Sequence, residues 1–316
     1  MAMSSERAGA DLGADRPPRS GAHRGPALAL LRTLRPHQWI KNVFVAAPLV
    51  FAQKLGHPHE VIRAALAVLA FCALSGAVYA FNDVRDVAAD RRHPTKRTRP
   101  IAAGELSERA ALVCSAVLAL GALAGCVLIS GKLAAVAAVY LVQNVAYTLR
   151  LKQIAFVDVA LIACGFLLRV CAGAFAIAVP TSGWLLLCTA LLALLLGFGK
   201  RAHELAWARE QGDHPTTRVA LAGYRLDVLR VALIGLAIAS CAGFVAYTLD
   251  AHTVAEYGTH RLVYSAPFVA IAIARFLMLA VWRPSDVSPT EAMLKDPWFL
   301  LDVAGAVGVM LYVIYA

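Results

Sequence analysis

Charge is scarce in this sequence: Asp, Glu, Lys and Arg together make up 16% of its 316 residues. A soluble domain of that length needs far more polar surface to cover itself. Strict alternation of apolar and polar residues is also missing, which excludes the strands of a membrane β-barrel. The seven cysteines, Cys72, Cys114, Cys126, Cys164, Cys171, Cys188 and Cys241, form no C-x-x-C pair and all fall in apolar stretches. They read as small packing residues and not as a disulfide framework or a metal site. His37, His93, His203 and His214 lack metal-ligand spacing and read as surface residues. No basic stripe with interleaved aromatics is present, so nucleic acid is excluded as a partner. Residues 1–26 lack the apolar core of a signal peptide and read as a disordered cytoplasmic tail, ahead of one membrane domain over 27–316.

What is present is apolar and continuous. Hydrophobic residues reach 60%, mean hydropathy is +0.66, and runs of roughly 20 such residues are what a bilayer core requires. About nine spans meet that length, near 38–53, 61–81, 110–129, 132–148, 154–178, 183–199, 228–249, 262–281 and 298–315. Backbone groups in lipid must be satisfied within the segment, so the spans are helices and the fold class is all-α, a polytopic membrane bundle. Pro48 removes a backbone donor from the first span and tilts or kinks it. Lys and Arg crowd the connections near 82–109, 149–153, 200–227 and 282–297, whereas the opposite side holds only Lys54, Arg63, Lys132 and Arg261. That asymmetry predicts a multi-pass protein of the inner (plasma) membrane with its N-terminus and its polar face toward the cytoplasm.

The second span ends in Tyr79, Asn82, Asp83, Arg85, Asp86 and Asp90, a run that no lipid-facing helix tolerates. Acids at 83, 86 and 90 fall on one face of a continuous helix, where they repel unless cations offset them. Magnesium suits such a stripe: it takes oxygen ligands and is held by one or two carboxylates together with substrate phosphates. The bland alternative pairs the three aspartates with Arg85, Arg91 and Arg92 as a solvated helix end. Directly after them comes a loop bracketed by Pro94 and Pro100, and its Lys96, Arg97 and Arg99 have the chemistry of phosphate ligands. Positive-inside topology supplies basic residues here but does not require them to follow an acidic stripe.

Further polar residues lie at or within the spans. The fourth span ends in Gln143, Asn144, Tyr147, Arg150 and Lys152, and the fifth carries Asp158 and, eleven residues on, Arg169. That separation along a helix is too great for a direct pair, so each needs a partner on another helix, in a functional role or as an interhelical tie. Lys200, Arg201 and Glu204 close the sixth span at i,i+3 and i,i+4 spacing, either as phosphate and second-metal ligands or as ordinary helix support. Arg218 and Tyr224 follow in a connection suited to a lid. Before the first span, Arg35 and Trp39 read as an interfacial anchor, while Lys41 and Asn42 must face the bundle interior or snorkel.

These residues resemble the UbiA superfamily of intramembrane prenyltransferases over nearly the whole chain beyond the tail. The likeness rests on Asn82-Asp83-x-x-Asp86-x-x-x-Asp90 and on the basic loop ending Arg99-Pro100-x-x-x-Gly104. Within the superfamily, three words are similar to the decaprenyl-phosphate phosphoribosyltransferase branch: Arg35-Pro36-x-Gln38-Trp39-x-Lys41-Asn42, His93-Pro94-x-Lys96-Arg97-x-Arg99-Pro100-Ile101-Ala102-Ala103-Gly104, and Lys200-Arg201-x-x-Glu204-Leu205. Ordinary prenyltransferases carry a second D-x-x-x-D stripe where this chain has Lys200, Arg201 and Glu204.

The resemblance implies a nine-helix bundle and Mg2+ as cofactor. It also implies transfer of a phosphoribosyl group from phosphoribosyl pyrophosphate to decaprenyl or another polyprenyl phosphate, on the way to arabinose donors for cell-wall polysaccharide. Asp83, Asp86 and Asp90 would then serve the metal. Lys41, Asn82, Lys96, Arg97, Arg99, Tyr147, Lys152, Arg169, Lys200, Arg201 and Glu204 would serve donor, acceptor and catalysis. The nearest rival is prenyl transfer from a diphosphate to an aromatic or lipid acceptor. A transporter for an anionic solute is a different class, against which stand the missing internal repeat and the gathering of polar residues at one membrane side.

Overall fold

The computed structural model describes residues 25–210, 219–282 and 287–316, and among these no strand occurs. The expected tail over 1–26 therefore lies, up to residue 24, outside the described residues, as do Arg218 and His214. The α-helices in chain order are α1 (Pro26–Leu34), α2 (Val43–Phe51), α3 (Pro58–Arg85), α4 (Val87–Arg92), α5 (Glu108–Ile129), α6 (Gly131–Leu149) and α7 (Val157–Ala176). There follow α8 (Gly183–Glu210), α9 (Leu226–Leu249), α10 (Ala251–Tyr257), α11 (Ala266–Leu277), α12 (Pro289–Leu294) and α13 (Pro297–Tyr315).

The helix starts are written in the sequence. Pro58, Pro289 and Pro297 occupy first-turn positions, where the missing N–H costs nothing. Ser107, Asp250, Ser288 and Asp296 accept hydrogen bonds from the free amides of α5, α10, α12 and α13. Eight helical stretches among the described residues are long and apolar enough to cross a membrane: α3, α5 to α9, Arg261–Val281 around α11, and α13. The remaining expected span, 38–53, is built differently. A 3-10 turn over Pro36–Asn42 runs into the nine-residue α2, which contains Pro48. At the usual rises of the two helix types, residues 36–51 cover about 27 Å.

Helices α3 and α7 are the most enclosed spans, with 50% and 56% of their apolar windows buried. One core packs α2, α3, α5, α6 and α7 around Phe71, Leu74, Leu133 and Tyr140. A second packs α7, α8, α9 and α11 around Val159, Leu195, Leu229, Leu233 and Phe276. Helix α7 belongs to both and joins them. Its Gly173 lies so close to α2 that a Cβ there would stand 1.9 Å from the Val45 carbonyl oxygen.

Arg63, near the start of α3, donates to the carbonyls of Ala176 at 2.6 Å and Ile129 at 2.7 Å, the last residues of α7 and α5. This accounts for a basic residue on the charge-poor side: it satisfies two helix ends. From Arg63 to Asp83, α3 rises about 30 Å, so the acidic residues stand at the opposite end of the bundle. The basic connections meet there. The turn Leu151–Gln153 touches the turn Val219–Gly223, and α12 lies against α8.

The α2–α7 approach has a direct test. Gly173→Ala is expected to destabilise the detergent-purified protein by about 1–3 kcal/mol, because the new methyl overlaps a backbone oxygen. Gly121→Ala, with nothing within 4 Å of the added Cβ, is expected to be neutral or slightly stabilising. Equal thermal midpoints for the two variants would refute the tight contact.

Candidate active site

The acidic stripe does not remain one helix. Helix α3 ends at Arg85, Asp86 turns the chain at φ −94° and ψ 3°, and α4 begins at Val87. The expectation of three carboxylates on one continuous helical face is corrected accordingly. Each carboxylate instead meets a basic side chain arriving from another segment. Asp83, buried, accepts from Arg35 at 2.5 Å and from Arg99 at 3.2 Å. The same Arg99 nitrogen donates to buried Asp90 at 2.7 Å. The Lys152 ammonium lies 2.7 and 2.8 Å from the two Asp86 oxygens and 3.3 Å from the Asn82 amide oxygen. The solvated pairing with Arg85, Arg91 and Arg92 is not what forms among these partners.

The basic loop is held in place by its neighbours. Arg32 of α1 pairs with Glu105 at 2.7 Å and donates to the Thr98 carbonyl at 3.2 Å. His93 accepts from the amides of Thr95 and Lys96 through Nδ1. Partial burial, and then the Lys96 cation, hold its imidazole below the usual histidine range, which suits a neutral acceptor. Gly104 closes the loop at φ +78°, a conformation glycine adopts without strain. Lys96 and Arg97 are exposed at the rim, whereas Arg99 is turned inward to Asp83 and Asp90.

Deeper in, α7 presents Arg169, 7% exposed. Its guanidinium donates to Asn42 at 2.8 Å, to the Gly165 carbonyl at 2.9 Å and to the Tyr140 hydroxyl at 2.8 Å. Asn42 in turn donates to Cys72 and Ser75 of α3. Next to this network Lys41 lies in the field of Lys200, Arg169 and Arg35, with Glu291 of α12 as the opposing charge. Three segments, the chain before α2, α7 and α8, thus bring Arg35, Lys41, Arg169 and Lys200 into one positive field.

A third cluster joins α7 and α8. Arg201, 1% exposed, pairs with Asp158 at 2.8 Å and with Glu204 one turn on, and Tyr147 of α6 lies within its field. Tyr224 donates to Asp158 at 2.6 Å. Asp158 and Arg169 do find partners on other helices, as their separation requires. His203, read from sequence as a surface residue, is 4% exposed. It shares α8 with Arg201 on the side packed into the bundle, and sequence spacing alone did not reveal that face.

The expected residues therefore fall into three groups, with Lys96 and Arg97 outside them at the rim. Asn82, Asp83, Asp86, Asp90, Arg99 and Lys152 form the first, Lys41, Arg169 and Lys200 the second, and Arg201, Glu204 and Tyr147 the third. Among the described residues no set of three acidic, His or Cys side chains converges tightly enough to hold a metal ion without other ligands. Sequence reasoning assigned Arg35 to the membrane interface, whereas its guanidinium caps Asp83 and lies 5.1 Å from the Tyr79 ring centroid. Its left-handed backbone, φ 52°, was invisible in the sequence, although the Arg35-Pro36 word marked the place.

Comparisons with known proteins place the chain in a family. The UbiA prenyltransferase family model matches residues 42–302. A decaprenyl-phosphate phosphoribosyltransferase of Mycobacterium tuberculosis (strain CDC 1551 / Oshkosh) is 37% identical over 276 residues, 84% of this chain and 89% of that protein. One of Mycolicibacterium smegmatis is 35% identical over 296 residues, 88% of this chain and 90% of its own length. The structure of a UbiA homolog from Archaeoglobus fulgidus bound to GPP and Mg2+ matches with a TM-score of 0.69 at 18% identity, over 91% of this chain and 100% of the other, which establishes a common fold. With its membrane-spanning helices, its acidic stripe and these relatives, the chain is an integral membrane transferase and belongs to the UbiA prenyltransferase family.

Proposed function

We propose that the chain transfers a 5-phosphoribosyl group from phosphoribosyl pyrophosphate to decaprenyl or another polyprenyl phosphate. In this reading it acts at the cytoplasmic side of the inner (plasma) membrane, on the route to lipid-linked arabinose for cell-wall polysaccharide. The observation that carries the reading is the meeting of Asp83 and Asp86 with Arg35, Arg99 and Lys152, beside Lys41, Arg169 and Lys200. Acids for a metal and bases for several phosphates converge on one place. The names of the curated relatives support the same transferred group and the same class of acceptor.

The donor set fits Mg2+. Both Asp86 oxygens and the Asn82 oxygen already converge on one cation, the Lys152 ammonium, and Asp83 lies one helical turn away. Hard oxygen ligands of this kind, completed by water and substrate phosphates, are what Mg2+ takes. Asp83 and Asp86 would hold it, with Asn82 beside them and Asp90 in support through Arg99. When bound, it supplies neutralisation of the charge that develops on departing pyrophosphate.

The chain's own residues do the rest. With Asp83 and Asp86 engaged, Arg35 and Lys152 become available to phosphate oxygens. Lys96, Arg97 and Arg99 lie along the donor's path as phosphate ligands, and Lys41 and Lys200 add to the positive field. Arg169 and Arg201 have their guanidinium groups occupied by protein partners, which favours Lys152 as the group that orients the acceptor phosphate. The bond from the anomeric carbon to pyrophosphate breaks, and its electron pair leaves with pyrophosphate. An acceptor phosphate oxygen forms the new bond to that carbon. The acceptor is already an anion, so no base has to remove a proton, and positioning dominates the rate.

Purified protein with Mg2+, labelled phosphoribosyl pyrophosphate and decaprenyl phosphate is expected to yield a labelled lipid, and a chelator is expected to stop it. Product from a prenyl diphosphate and none from phosphoribosyl pyrophosphate would transfer the assignment to the ordinary prenyltransferases. Asp83→Asn and Asp86→Asn are each expected to abolish turnover in a protein that still inserts and folds; near-normal rates would remove the metal role. Lys96→Ala is expected to weaken donor affinity by about 1.5–3 kcal/mol, the worth of one charged hydrogen bond. Unchanged affinity would reduce the loop to a topology signal.

A further inference from the structure

Tyr224 has no part in the reaction as set out above, yet its phenol ties together two parts of the site. It is 5% exposed and stands just after the turn Val219–Gly223. Its hydroxyl donates to Asp158 at 2.6 Å and accepts from the Phe156 amide at 2.6 Å. Its ring packs against Phe156 at 4.8 Å and Phe198 at 6.3 Å. The neighbouring residue reinforces the contact, since a Cβ on Gly223 would come within 2.6 Å of the Ala155 side chain. Residues 219–225 and 154–158 are therefore interlocked both by hydrogen bonds and by shape.

Both sides of this lock lead to groups of the candidate site. Phe156 has a positive φ, 66° with ψ −41°, which a phenylalanine keeps only when its surroundings impose it. The amide that Tyr224 holds is that of the same residue. Four residues earlier stands Lys152, whose ammonium meets Asp86 and Asn82. On the other side, Asp158 pairs with Arg201 at 2.8 Å, and Arg201 pairs with Glu204. One hydroxyl thus connects the turn that carries Lys152 to the buried pair that presents Glu204.

We infer that Tyr224 is a positioning residue, which keeps Lys152 and the Arg201–Glu204 pair in fixed relation during transfer. The inference rests on the role of Lys152 proposed above. Tyr224 touches neither donor nor acceptor and acts through the Phe156 amide and Asp158.

The test is Tyr224→Phe, which removes one oxygen and keeps the ring. It is expected to lower the thermal midpoint by a few degrees in a protein that still folds, because Asp158 and the Phe156 amide each lose a partner, and to lower kcat about tenfold or more. The decisive measurement is a cycle with Lys152→Met. If Tyr224 acts through that turn, adding Tyr224→Phe to Lys152→Met lowers kcat by less than about threefold further. Factors that multiply in full, or an unchanged kcat in a folded Tyr224→Phe protein, would overturn the inference. Should the variant fail to fold, hydrogen exchange on the wild-type protein decides. Shared opening of 150–158 and 219–225 supports the lock, and independent opening refutes it. The cycle can be run with either a phosphoribosyl or a prenyl diphosphate donor, so a wrong donor and a wrong role for Tyr224 give different results.

Discussion

Ion pairs made between segments at one end of the bundle govern the rest of the structure. A carboxylate at the edge of a bilayer is costly to bury, and it is tolerated only when a cation or several donors meet it. Asp83 and Asp90 share Arg99, Asp83 also holds Arg35, and Asp86 holds Lys152. Each pair draws a different stretch of chain to the end of α3: the turn before α2, the basic loop and the turn between α6 and α7. The same pairs that allow the acids to be there hold these segments together.

Deeper charges follow the same rule with stricter terms. Arg169 uses every nitrogen of its guanidinium on three helical segments, and Arg201 is closed off by Asp158 and Glu204. Breaking a buried pair by removing one partner typically costs about 3–5 kcal/mol, because a lone charge is left behind. These arginines are therefore fixed parts of the frame.

The place where ordinary family members carry a second acidic stripe is, in this chain, the Arg201–Glu204 pair with Lys200 beside it. One carboxylate there is neutralised by a buried arginine, and the nearby field at Lys41 is positive. A site with one acidic stripe and an excess of cations matches two phosphorylated substrates better than one prenyl diphosphate and a neutral acceptor. The shared fold says nothing of that difference; the side chains at this end carry it.

Much of this was legible in the chain itself. Run length and composition determine a helical membrane protein, because lipid offers no partner to an unpaired backbone group. The Lys and Arg asymmetry determines which ends of the helices lie together. The words around Asp83, Lys96 and Glu204 determine the family and name most of the residues of the candidate site, since local spacing is enough to express them. Tertiary structure alone decided the partners. That α3 stops at Arg85, that Arg35 and not Arg85 meets Asp83, that His203 is buried, and that Tyr224 locks onto Phe156 all depend on contacts between residues up to 68 positions apart. Such contacts are set by how whole helices pack, and no periodicity within a single segment encodes them.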